Sequence, residues 1–260
     1  MLYGESGVLP PSVHCHQNVI LYYIRLNNLP NGSVLKSVFN ELKHLHDIST
    51  CNNWCSNVLK LSKNYEIDID NLVFSDQTKQ QVKSIIRQKF IADWICKIND
   101  STNNPGLRLY KMFKFEFKCE PYLQNIKQFR QRKLFTKLRT SSHLLEIEHG
   151  RHIGKLEHQR LCRNCNIIES EYHFVMICPI YHELRVEFLE NVYNSFPYIA
   201  DYCDYDKFFF FMGFEDSCLH RLFSKYIFDA FNIRSGLGST PPPADDTCQL
   251  SDGGEGPSQT

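Results

Sequence analysis

No apolar run in this 260-residue chain can cross a bilayer as a helix: the longest cluster, Phe208 to Phe214, spans seven residues, where roughly 20 are needed. The start, Met1-Leu-Tyr-Gly-Glu-Ser-Gly-Val-Leu-Pro-Pro11, lacks the basic stretch and apolar segment of a secretory signal. Charge of one sign is not in excess either, since 29 Lys and Arg meet 29 Asp and Glu. Net charge therefore says nothing about partners, and only its local distribution can. Eleven cysteines are many, but the number is odd and the chain is long enough to bury a core without covalent staples. The expectation is a reduced, intracellular protein without a membrane partner, whether nuclear or cytoplasmic. No internal repeat is present.

What is there is mainly helical patterning. Residues 1 to 17, with Gly4, Gly7, Pro10 and Pro11, read as an irregular lead-in, and Asn18 to Asn28 is apolar but too short for its period to decide helix from strand. Val34, Leu35, Val38, Leu42 and Leu45 follow helical spacing behind Ser33. Trp54, Val58 and Leu61 suggest a second helix, and Val82, Ile85, Ile86, Phe90, Trp94 and Ile98 a third that opens near Ser75 or Asp76. These stripes read as core. Residues 99 to 106 break the pattern and place a boundary near 104. Beyond it Leu109, Phe113 and Phe117 favour helix, as do Tyr122 to Arg139 and Leu184, Phe188 and Val192. Leu219, Leu222, Phe223, Tyr226, Ile227 and Phe231 form the clearest amphipathic stripe. The fold class is thus mainly α, in three parts: a helical N-terminal region (1–104), a basic helical region with closing helices (105–234), and a tail (235–260). That tail is rich in Gly, Ser, Pro and acidic residues, has no Lys or Arg, and is expected to be disordered.

Chemistry concentrates at one place. Cys162, Cys165, His173 and Cys178 form C-x2-C-x7-H-x4-C, a complete set of three thiolates and one imidazole that suits a closed tetrahedral zinc site. Two cysteines three apart can aim at one ion from a tight turn, and Pro179 disfavours helix at Cys178, so a helix begun near His173 should end there. Four protein ligands leave no position for a reacting water, so one zinc per chain would be structural. His44 and His46 with Cys51 and Cys55, and His14-Cys15-His16, are looser candidates. Glu169 and Glu171 fall between the ligands with no evident partner or pocket, and Phe174, beside His173, reads more readily as core than as a platform for a base.

These motifs carry a resemblance. Leu138-Arg-Thr-Ser-Ser-His-Leu-Leu-Glu-Ile-Glu-His-Gly-Arg151, then Leu161-Cys-Arg-Asn-Cys165, then Glu169-Ser-Glu-Tyr-His-Phe-Val-Met-Ile-Cys-Pro-Ile-Tyr181 resembles the C-terminal zinc-knuckle region of non-LTR (long interspersed element) retrotransposon reverse transcriptases. The resemblance covers about residues 105 to 234, and 16 to 100 loosely. It implies that the four ligands form a CCHC knuckle that helps hold RNA or DNA. The polymerase carboxylates of that family have no counterpart here: the sole Asp-Asp pair, Asp245 and Asp246, follows three prolines in the tail. Asp201, Asp204 and Asp206 lack the pattern of the family's downstream endonuclease and read as a solvated acidic loop. No enzyme is expected.

Between Arg108 and Arg139 ten Lys or Arg residues stand against Glu116 and Glu120. Arg130, Lys133 and Lys137 share one helical face, with Arg132 and Arg139 roughly opposite; Arg151 continues the positive run toward the knuckle. These six are the candidate contacts to RNA or DNA, with little sequence preference. The alternative is a zinc-stabilised structural or protein-interaction module whose cations are neutralised by acids elsewhere, such as those from Glu183 to Asp206. One exposed basic patch favours the first reading, and scattered or paired cations the second.

Overall fold

The computed structural model describes residues 2–48, 53–100 and 105–236. The fold is mainly α, 71% helical, with no strand among the described residues. In chain order the helices are α1 (Leu2–Ser6), α2 (Pro11–Asn27), α3 (Val34–Ile48), α4 (Trp54–Asn64), α5 (Asp76–Asn99), α6 (Tyr122–Asn125), α7 (Phe129–Arg139), α8 (Glu146–His152), α9 (His182–Ser195), α10 (Asp204–Gly213) and α11 (Ser217–Gly236). No helix among the described residues is long and apolar enough to cross a membrane.

Helix starts follow capping chemistry. Asn53 and Ser75 accept from the backbone N–H groups of Ser56 and Thr78 and so open α4 and α5. The lead-in expected over 1–17 is instead largely helical, because Pro11 occupies the first turn of α2, where a missing N–H is harmless and a fixed φ is an advantage. The stretch 108–118 is not a helix. A short 3-10 turn, Pro105–Leu107, precedes it, and within it a second, Tyr110–Met112, gives way to irregular chain. Tyr122 to Arg139 is likewise two helices, parted at Ile126, which is extended (φ −86°, ψ 102°). Ser235 and Gly236 belong to α11, and the rest of the acidic tail lies outside the described residues.

Three clusters of buried side chains result. The first joins α2, α3, α4 and α5 through Ile20, Tyr23, Ile24, Phe39, Val58, Val82 and Ile86. Here one expectation fails: Val34, Leu35, Val38 and Leu45 face solvent. The inner face of α3 is Phe39 together with Lys36, whose aliphatic stem is buried while its ammonium donates to the Asn27 carbonyl at the end of α2. The second cluster is small, with Trp94 and Ile98 of α5 against Tyr110 and Phe117, and it bridges the expected boundary near 104. The third and largest spans Leu109 to Phe231 and centres on α11, which packs on α7 and α9. Phe188 stacks on Tyr226 with centroids 5.0 Å apart, and Phe223 meets Phe135 edge-on at 5.5 Å. Such pairs contribute about 0.5–1.5 kcal/mol each beyond the area they bury.

The N-terminal turn also docks on the C-terminal half. The Glu120 N–H donates to the Glu5 carbonyl at 2.8 Å, and Ser6 bridges Cys119. Gly7 sits at φ +65°, and a Cβ there would lie 2.4 Å from the Cys119 nitrogen. Only glycine fits that approach.

Candidate metal centre

The hairpin that supplies two sulfurs is closed by backbone. Leu161 bridges Ile168, the Cys162 N–H donates to the Ile167 carbonyl at 2.7 Å, and the Asn166 N–H returns to the Cys162 carbonyl at 3.0 Å. Asn166 takes the left-handed conformation (φ 53°) that lets the chain reverse. Cys162 and Cys165 therefore point to the same side of one turn.

The other two donors come from one widened helical turn. Ser170 accepts the His173 N–H on its hydroxyl and the Phe174 N–H on its carbonyl, opening the π-helical segment His173–Ile177. That segment closes with an i to i+5 bond from the Cys178 N–H to the His173 carbonyl at 2.8 Å. As the Pro179 argument requires, Cys178 leaves the helix (φ −56°, ψ 125°). The carbonyls freed at this end are used: Arg185 of α9 donates to Val175 and Cys178, and the Tyr226 hydroxyl of α11 donates to Val175. The turn is thereby fixed to the main core.

All four donor atoms lie within 4.8 Å of one another and can hold a metal ion. The sulfurs are 3.9 Å (Cys162 to Cys165), 3.9 Å (Cys162 to Cys178) and 3.5 Å (Cys165 to Cys178) apart. Tetrahedral bonds of the Zn–S length place sulfurs about 3.8 Å apart, so the triangle already has the size of a coordination face. Both nitrogens of His173 are buried without a hydrogen-bond partner, which is unusual unless a ligand satisfies one of them. Burial pulls the ring below its ordinary pKa, against the opposing pull of Glu169, leaving the neutral imidazole that a metal requires. Burial also pushes the Cys178 thiol up to about 12, with Cys165 and Cys162 adding to the rise against a backbone hydrogen bond from Ile180. Cys178 therefore becomes a thiolate there only with a cation beside it.

Glu169 and Glu171, expected to be unpartnered, are buried anchors. Glu169 accepts two bonds from Arg234 at 2.8 Å each and the Glu146 N–H at 2.6 Å. Glu171 binds His143 at 2.9 Å and Arg108 at 2.6 Å. Burial would raise the Glu171 pKa, yet these two partners hold it below the usual carboxylate range. The ligand loop is thus pinned on both sides of Ser170, a feature hidden in the sequence because Arg108 and Arg234 lie more than sixty residues away on either side. Phe174 is fully buried against Tyr181 and Phe231 and cannot reach a base.

The six cations expected to meet nucleic acid do not form one surface. Arg139 is a correction: it is 1% exposed, bound to Glu5, Glu120 and the Met212 carbonyl. It lies on the core side of α7 because that face packs on α11. Arg151 is clamped to Glu148, and Arg132 donates to the Ile126 carbonyl. Arg108, Lys114, Lys118 and Lys155 are also paired. Their partners are Glu148, Glu171, Glu120, Glu116, Glu215 and Glu146, rather than the acids from Glu183 to Asp206. Arg130, Lys133 and Lys137 make no ion pair among the described residues; the first two are exposed and Lys137 is half-buried. Lys127, also exposed, lies in the non-helical link that precedes α7.

Among the described residues no second group of three metal donors exists. His46 binds the Ser56 hydroxyl, Cys55 is buried, His16 binds the Tyr65 hydroxyl, and Cys51 lies outside the described residues, as do Asp245 and Asp246. No family model, curated protein or solved structure matches this chain.

Proposed function

We propose that the chain is a helical module clamped by one structural zinc ion, held by Cys162, Cys165, His173 and Cys178. The observation that carries this is the pair of unpartnered, buried nitrogens of His173 beside three sulfurs at coordination spacing. Softness selects zinc among common ions, and four protein donors make the site a clamp rather than a catalyst. Metal analysis of protein purified without chelator is expected to give one zinc per chain. Zero or two equivalents would sink the proposal.

A second reading, contact with RNA or DNA, is favoured by Arg130, Lys133 and Lys137, which share one face of α7 by helical spacing and make no ion pair among the described residues. Phe129, which is exposed, lies beneath Arg132 and Lys133. Descent from a retroelement reverse transcriptase belongs to this reading and is supported by the motif combination quoted above. Reversing Arg130, Lys133 and Lys137 to Glu is expected to weaken binding to unrelated sequences alike, with the salt slope falling about one unit per phosphate contact removed. An unchanged affinity and slope would leave the α7 face a solvated surface and the module without this partner.

A further inference from the structure

A cavity of about 220 Å³ opens between the metal-binding hairpin and the last turn of α11, lined by Cys162, Arg163, Asn164, Glu169, Tyr181 and Arg234. Its donors outnumber its acceptors. Arg234 spends Nε and one hydrogen of Nη2 on Glu169, and its Nη1 is uncommitted. Glu169 already pairs with Arg234 and accepts the Glu146 N–H, and Arg163 is exposed and makes no ion pair among the described residues. The Tyr181 side chain is 3% exposed overall, and its hydroxyl makes no hydrogen bond among the described residues. Asn164 adds an amide, one hydrogen of which is directed at Cys165.

Two guanidinium groups, a phenol and an amide around one small space recognise an oxyanion. A carboxylate has only two oxygens to meet these donors, whereas a phosphate monoester presents three. The volume lies below the range of whole drug-sized ligands, so it admits a headgroup and leaves the remainder of a ligand outside. A zinc-thiolate centre with three sulfurs would itself be negative and Glu169 offsets Arg234, so the charge attraction rests on Arg163, with Arg234 Nη1, Tyr181 and Asn164 supplying hydrogen-bond donors. We propose that this cavity is a phosphoryl-binding site for the terminal phosphate of a phosphomonoester. A free nucleotide and the 5′ end of a strand offer the same chemistry.

The test is calorimetric titration of the full zinc-loaded chain with adenosine monophosphate, adenosine, inorganic phosphate and acetate. A further pair of titrants is one oligonucleotide with and without a 5′ phosphate. Adenosine monophosphate and phosphate are expected to bind, and adenosine and acetate not to. Arg163→Gln is expected to weaken phosphate binding about tenfold, and Tyr181→Phe more modestly, with zinc content and helicity unchanged in both. Preference for the phosphorylated oligonucleotide over its hydroxyl form identifies a strand end as the source. Binding of the mononucleotide without that preference identifies a free monoester. Equal binding of adenosine and its monophosphate, or phosphate affinity untouched by both substitutions while zinc is retained, would overturn the site.

Discussion

Replacing Cys178 by serine is expected to remove the zinc and unfold the third and largest core, while leaving α2 to α5 folded. Cys178 is fully buried and its backbone closes the π-helical turn. The residues around it, Phe174, Tyr181 and Phe231, are core rather than surface. Structural zinc contributes on the order of 10 kcal/mol to a small module, comparable with the whole stability of a typical domain. Loss of the ion should therefore propagate from residues 161–181 through α9 and α11 and not stop at the hairpin. Amide exchange is the decisive measurement, with protection at Phe174, Phe223 and Tyr226 expected to collapse and protection at Ile20, Tyr23 and Val82 to persist. A chelator should reproduce the pattern in the unmodified chain, and acid should assist it. The thiols carry protons once the metal leaves, so lowering the pH favours release and raising it favours binding. Serine at 178 with a full zinc equivalent, or with native protection across α11, would show that the donors are packed thiols and no clamp.

Legibility in the sequence followed distance along the chain. The metal donors lie within seventeen residues, and their geometry depends on a turn at Arg163-Asn164 and a stop at Pro179, both local effects that spacing alone conveys. Caps at Ser75 and the stripe of α11 are local in the same sense. The misreadings involve partners far away. Arg139 looked like surface charge because Glu5 is 134 residues distant. Glu171 looked unpartnered because Arg108 and His143 arrive from other segments. The α3 stripe looked like core because periodicity locates an apolar face without saying that anything covers it; here Phe39 and the stem of Lys36 turned inward instead. The Pro10-Pro11 pair misled for a local reason, since prolines that read as a break can open a helix.

The second large effect is expected at that same Arg139. Its guanidinium is enclosed by Glu5 at 3.1 Å and Glu120 at 2.7 Å, donates to the Met212 carbonyl, and lies over the rings of Phe113, Tyr122 and Phe135 at 4.5, 5.0 and 5.8 Å. Burial alone would lower its pKa, but the two carboxylates raise it above the ordinary arginine value, so it stays charged. The group ties α1 to α7, α10 and the Lys118 to Pro121 segment, where Lys114 supplies Glu120 with a second cation. Arg139→Met keeps the apolar stem and deletes the charge, stranding Glu5 with only neutral phenols beside it, the Tyr122 hydroxyl and Tyr110. Removing one partner of a buried pair costs about 3–5 kcal/mol, which for a chain of this size lowers Tm on the order of 10 °C. Adding Glu5→Gln should recover part of that loss, because it removes the stranded carboxylate while Glu120 keeps Lys114. Because the pair is dry, salt should change the penalty little. Any affinity of the chain for RNA or DNA should be the same in the folded variant, since this arginine presents nothing to solvent. A penalty under about 1 kcal/mol, or weaker binding with full stability, would place Arg139 at the surface and undo the internal clamp.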